Sequence, residues 1–220
     1  MTRITRGLSA FVFAILMLLA SRAWGDQDNR TAPGEVAYHY VGRVKLNFAT
    51  GTATILGYIT HLKGVPATTS LFSGSPSEAT AFFTFRADTT FQALAGNGNL
   101  GGSFAVAPAL ITPGPIKMYF TPNPAHNWDS PDTFSSGQLI ATFAREVEQQ
   151  VLIGPIATNT ASAPLTSSSK FDFGGQKLDL GQLIPRGVTN VTTANAMPLV
   201  GSTAVTVTFA FAGYALGFGD

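Results

Sequence analysis

The chain has 220 residues, 45% of them hydrophobic and only 11% charged, which excludes a disordered or nucleic-acid-binding protein on composition. The formal charge of +1 includes Arg3, Arg6 and Arg22 of a segment expected to be removed. Without them ten basic residues face twelve acidic ones, a net −2 with no basic patch. There is no cysteine, so neither a disulfide framework nor a lipid-anchored lipoprotein is expected, and the core alone must hold the fold.

Residues 1–25 read as a cleaved signal peptide. Arg3 and Arg6 precede an apolar core over residues 8–20, which is short for a membrane span, and Ala23 and Gly25 put small residues before a cut at Asp26. Cleavage after Ala23 and an uncleaved anchor helix are the alternatives. Residues 26–220 are expected to form a single all-β domain, an antiparallel β-barrel or β-sandwich, located outside the cytoplasm: secreted, periplasmic or at the cell surface.

Residues 36–62 read as one long hairpin. Val36, Tyr38, Tyr40, Val44, Leu46 and Phe48 alternate with Ala37, His39, Val41, Arg43, Lys45 and Asn47, so the even positions form the core face. A three-residue connection over Ala49, Thr50 and Gly51 pairs Phe48 with Thr52. In that register Tyr40 meets Thr60, Val41 meets Ile59, Leu46 meets Thr54 and His39 meets His61. A loop anchored by Leu71 and Phe72 follows, then a strand region over 78–94 with Phe83, Phe85 and Ala87 on one face. A turn is expected over 96–99, with short strands over 103–107 and 116–121.

Residues 121–137 form a long irregular segment, and residues 138–151 are ambiguous between helix and strand, with strand preferred for the Leu-Ile-Ala-Thr-Phe run. Residues 154–169, small and rich in Ser and Thr, read as loop, as does the stretch over 183–201. Between them, residues 170–179 read as a two-residue hairpin around Gly174-Gly175. It pairs Phe171 with Leu178, Asp172 with Lys177 and Lys170 with Asp179. A last strand is expected over 203–218.

The strongest candidate binding site is His126, Asn127, Trp128, Asp129 and Asp132 in the long loop. There an aromatic plate stands beside hydrogen-bonding groups, the combination that holds sugars and small aromatics. The competing readings are a calcium-binding loop and a surface loop pinned by a buried Trp. His39 and His61 sit at a spacing that suits a metal, but no third ligand is local, so they read as solvent-facing imidazoles. Asn190-Val191-Thr192 is a glycosylation sequon that matters only in a eukaryotic secretory route. No catalytic motif, metal site or cofactor motif emerges. The leading expectation is a secreted, non-enzymatic β domain that binds a small apolar or sugar ligand or a protein partner, with no nucleic acid. The alternatives are a structural cell-envelope protein such as an outer-membrane β-barrel, which alone would place it in a membrane, and a secreted barrel enzyme, an isomerase or hydrolase.

Overall fold

The computed structural model describes residues 30–91, 105–107, 111–112, 114–146, 148–153, 155–195 and 197–218. The signal peptide expected over residues 1–25 and the turn expected over 96–99 lie outside them. From Thr31 onward the chain is all-β. Strands β1 (Val36–Asn47), β2 (Thr52–Leu62) and β3 (Phe83–Phe91) come first, followed by the short β4 (Ala105–Ala107) and β5 (Ile111–Thr112). Then come β6 (Ile116–Phe120), β7 (Gln138–Phe143), β8 (Glu148–Ile153) and β9 (Ile156–Ser168). The hairpin β10 (Phe171–Phe173) and β11 (Gln176–Leu178) and the one-turn helix α1 (Leu180–Leu183) precede β12 (Gly187–Asn195) and β13 (Thr206–Gly217).

Eight of these strands close into an antiparallel barrel in the order β1-β2-β3-β6-β7-β9-β12-β13, with β13 pairing back onto β1. Each barrel strand pairs with the next barrel strand along the chain, which is the up-and-down arrangement, and closure removes the sheet edges. The choice left open between barrel and sandwich therefore falls to the barrel.

The even face of β1 points inward: Tyr38 and Tyr40 are buried while His39 and Lys45 are exposed. The hairpin register differs from the expected one over most of its length. Asn47 rather than Phe48 pairs with Thr52, so Tyr40 meets Ile59, Val41 meets Tyr58 and Leu46 meets Ala53. An irregularity between His39 and Tyr40 then restores the expected pairing of His39 with His61. The physical reason is burial. The expected register sends Ile59 outward and Thr54 and Thr60 inward, whereas the observed one, with Thr60 as an extra residue, puts Ile55, Ile59 and Leu62 on the inner face.

Two stretches read as loop are barrel strands. Residues 154–169 contain β9, at 13 residues the longest strand, and residues 183–201 contain β12. In β9 the alternation is Ala157, Ala161 and Ala163 buried against exposed Thr158 and Thr160. Alanine is a weak apolar signal, but it suits an inner face already filled by rings from the neighbouring strands. Residues 138–151 contain β7 and most of β8, as the strand preference expected. Leu139 is exposed, because a register shift beside Tyr119 turns Ile140 inward in its place. The β10–β11 hairpin has the expected pairing of Phe171 with Leu178 and Asp172 with Lys177. Asp179 is drawn elsewhere: its carboxylate caps α1, accepting from the Gly181 N–H and from Ser168 Oγ.

The core has two aromatic tiers. At one end Phe83, Phe120, Phe171 and Phe173 pack with ring centres 4.9–5.7 Å apart, and Leu180, Leu183 and Ile184 bury themselves in the same core. Higher up, Tyr40, Phe85 and Phe211 form a triangle at 5.7, 6.1 and 6.3 Å. Glycines make room for that triangle. A Cβ on Gly42 would stand 2.3 Å from the Phe211 ring, one on Gly57 2.6 Å from the Phe85 ring, and one on Gly213 2.6 Å from the Tyr40 hydroxyl.

Candidate functional site

The segment over 121–137 lies against the outside of the barrel, over β2 and β3. Its 3₁₀ turn (Pro131–Ser135) places Phe134 with no exposed surface, and the Phe134 carbonyl accepts from the buried Thr84 hydroxyl of β3 at 2.8 Å. Of the five residues nominated in this loop, His126 and Trp128 meet around Phe134. His126 is 2% exposed, 5.6 Å from Phe134 between ring centres, and its Nδ1–H donates to the Thr133 carbonyl at 2.6 Å. Its Nε2 is buried with no hydrogen-bond partner.

Trp128 is half-buried between Phe134, 4.7 Å away at an interplanar angle of 31°, and the Arg43 guanidinium, 4.5 Å from the ring centre. Tyr58 approaches at 6.1 Å. Asn127 and Asp132 are engaged with the protein itself. Asn127 Oδ1 accepts from the Asp129 N–H, Asn127 N–H donates to Thr133 Oγ1, and Asp132 holds the Arg86 guanidinium at 2.6 Å. Arg86 is further fixed by Asp88, and these carboxylates raise its pKa above the ordinary value, the Asp88 hydrogen bond most. Asp129 is exposed at the loop tip.

A second constellation lies on the inner face. Register places Tyr40, Gly213 and Thr192 side by side across β1, β13 and β12, and Asn190 beside Ala215 and Ala161. The Tyr38 hydroxyl donates to Asn190 Oδ1 at 3.2 Å, and the Tyr40 and Thr192 hydroxyls share a hydrogen bond of 2.6 Å. Asn190 is 7% exposed, and its Nδ2 is buried without a hydrogen-bond partner. Burial raises the pKa of both phenols: Tyr38 goes far above the usual range, and Tyr40, relieved in part by its Thr192 bond, is pushed up to about 12. Both stay protonated donors at any physiological pH.

At the end of the barrel marked by the β1–β2 turn, the inward-facing Val44, Leu46, Ile55, Val207 and Phe209 are only half-buried. The inner face thus combines an apolar, aromatic wall with a few hydroxyls and one unsatisfied amide. Sequence reasoning placed Tyr38 and Tyr40 on the core face. It missed Asn190 and Thr192, because their strand reads as loop and their sequon reads as surface. The buried Asn190 side chain is not placed to accept a glycan.

No protein-family model, no curated protein and no solved structure matches this chain.

Proposed function

We propose that this is an exported, non-enzymatic β-barrel that binds a small apolar or aromatic ligand carrying one hydrogen-bond acceptor, held on the inner face of the barrel. The observation that carries this reading is the buried amide of Asn190, whose Nδ2–H₂ group faces the interior unsatisfied. A buried donor without a partner costs about 1–3 kcal/mol, and a ligand carbonyl or hydroxyl at that position removes the cost. Eight-stranded barrels are just wide enough to be filled by side chains or to hold one small ligand.

The polarity of the two faces supports this over an outer-membrane barrel. A membrane barrel turns apolar side chains to lipid and polar ones to its lumen. Here His39, Arg43, Lys45, Arg86, Lys117, Thr158 and Thr160 face outward and Tyr38, Phe83, Phe85, Met118, Phe120 and Phe211 face inward, the reverse pattern. The chemistry of the inner polar groups supports binding over acid–base catalysis. Tyr38, Tyr40, Asn190 and Thr192 do not titrate near neutral pH, so they orient a molecule rather than exchange protons with it. The Trp128 loop is the weaker candidate, because Phe134 and Arg43 both pack against the indole that a sugar would need.

The test is a titration of the folded chain with naphthalene and with 2-acetylnaphthalene, followed by ligand-observed NMR. The ketone is expected to bind saturably with one site and more tightly than the hydrocarbon. Asn190→Leu should abolish that preference, a loss on the order of tenfold for one hydrogen bond, without weakening the hydrocarbon. Absence of saturable binding of either probe, or a ketone preference that survives in Asn190→Leu, overturns the reading.

A further inference from the structure

On the outer face of the barrel, the face opposite to that of Asn190, His39 of β1 and His61 of β2 stand directly opposite each other in register, with ring centres 5.4 Å apart and planes at 52°. Both are exposed. Their opposition is enforced by the fold: the extra residue at Thr60, needed to turn both Ile59 and Leu62 inward, is what brings His61 rather than Thr60 level with His39. Tyr214 of β13 flanks His39 on the other side at 6.4 Å, T-shaped, so one side of the pair is walled and the other faces water.

We propose that His39 and His61 together bind a divalent late first-row transition metal, Zn²⁺, Ni²⁺ or Cu²⁺, as a two-imidazole site completed by water. The spacing is the one such a site needs. A metal about 2.0–2.1 Å from an imidazole nitrogen lies roughly 3.2 Å from the ring centre, and two rings meeting it at a tetrahedral angle have centres about 5 Å apart. Small χ rotations of exposed side chains close the remaining gap. Imidazole is the ligand type these metals prefer among neutral donors, and cross-strand placement on two hydrogen-bonded strands holds both rings in place before the metal arrives. No cluster of three or more His, Asp or Glu able to hold a metal occurs among the described residues, so the site is bidentate and its metal exchangeable. Lys63, two positions beyond His61 on β2's strand path, is bonded to Glu35.

The experiment is isothermal titration of ZnCl₂ and NiCl₂ into the chain purified without a polyhistidine tag, at pH 7.5 and at pH 5.5, for wild type, His39→Gln, His61→Gln and the double variant. One equivalent is expected to bind at pH 7.5 and to bind more weakly at pH 5.5, where protons compete with the metal for the ring nitrogens. Each single variant should weaken binding about tenfold or more. Circular dichroism confirms that the variants are folded. If a variant fails to fold, the Cu²⁺ complex of the wild type decides by electron paramagnetic resonance, where hyperfine coupling to two imidazole nitrogens is expected. Equal binding by wild type and the double variant, or a Cu²⁺ spectrum showing fewer than two nitrogens, overturns the proposal.

Discussion

Replacing Trp128 by Ala separates a structural indole from a ligand platform. Trp128 is half-buried, packed on Phe134 and covered by Arg43. A large aromatic buries about 150–250 Å² when fully packed. Taking about half of that, near 100 Å², at ~25 cal/mol/Å² gives about 2.5 kcal/mol. The stack on Phe134 adds about 0.5–1.5 kcal/mol and the guanidinium about 0.5–1 kcal/mol. With some relaxation of the loop, the expected loss is about 3 kcal/mol, at the lower edge of the ~3–5 kcal/mol found for Trp→Ala at fully buried sites. Urea unfolding followed by far-ultraviolet circular dichroism measures it, since the substitution removes the fluorescent reporter. Arg43→Ala should lose about 1 kcal/mol and shift the indole emission to the red as water reaches the ring. A Trp128→Ala loss below ~1 kcal/mol would refute the packing argument and return the indole to the list of ligand-contacting groups.

Three further outcomes follow from the same geometry. Gly57→Ala places a Cβ 2.2 Å from the Val41 carbonyl and 2.6 Å from the Phe85 ring, so the backbone must move; a loss of about 1–3 kcal/mol by urea unfolding is expected. The pKa of His61 is lowered in the folded state from the ordinary 6.5. Between the lowered value and 6.5 the unfolded chain therefore binds more protons than the folded one, and stability is full above that window and falls as pH drops through it. The exposure of the ring keeps the effect small. Melting temperatures recorded from pH 7.5 to 5 should drop less in His39→Gln, which removes the neighbouring imidazole. A double-mutant cycle on Asp172 and Lys177, paired across β10 and β11, should give a coupling of about 0.2–1 kcal/mol. A zero coupling there would show that backbone and turn alone set the hairpin.

Strands with large apolar residues in strict alternation were legible. In β1 the alternation of Tyr, Val and Leu with polar residues assigned the inner face, and in β3 Phe83 and Phe85 were placed together on one face, which the structure turns inward. What was not legible is where a barrel uses small residues. Closing eight strands around two tiers of rings leaves β9 and β12 little volume, so their inner positions are mostly small or polar: Ala157, Asn159, Ala161 and Ala163 in β9, and Val188, Asn190, Thr192 and Ala194 in β12. Such strands carry a Thr/Ser/Ala composition that reads as loop in isolation. The register of the first hairpin escaped for a related reason. Turn chemistry alone favoured a three-residue loop, while burial of Ile55, Ile59 and Leu62 together demanded a shift and an extra residue, a constraint visible only with the rest of the barrel in place. In the Trp128 loop the sequence pointed to the right cluster of side chains but not to Arg43, which reaches the indole from a strand 85 positions earlier.

The retention of Asn190 separates a functional interior from an ordinary core. As it stands, the Tyr38 hydroxyl is satisfied by Asn190 Oδ1 while Nδ2 is not. Asn190→Leu alone removes one buried orphan, worth about 1–3 kcal/mol, and creates another of similar cost at the Tyr38 hydroxyl. Its net effect on stability should be near zero. The double variant Tyr38→Phe with Asn190→Leu removes both polar partners at nearly constant volume, and replacing both members of a buried pair by apolar groups is neutral or stabilising. It should therefore unfold at equal or higher urea concentration than wild type, while losing the preference for a ligand that carries an acceptor. That combination is the mark of a group kept for binding at the expense of stability. A double variant destabilised by more than about 2 kcal/mol would instead make the Tyr38–Asn190 pair a structural element of the core. The orphan amide would then no longer point to a ligand.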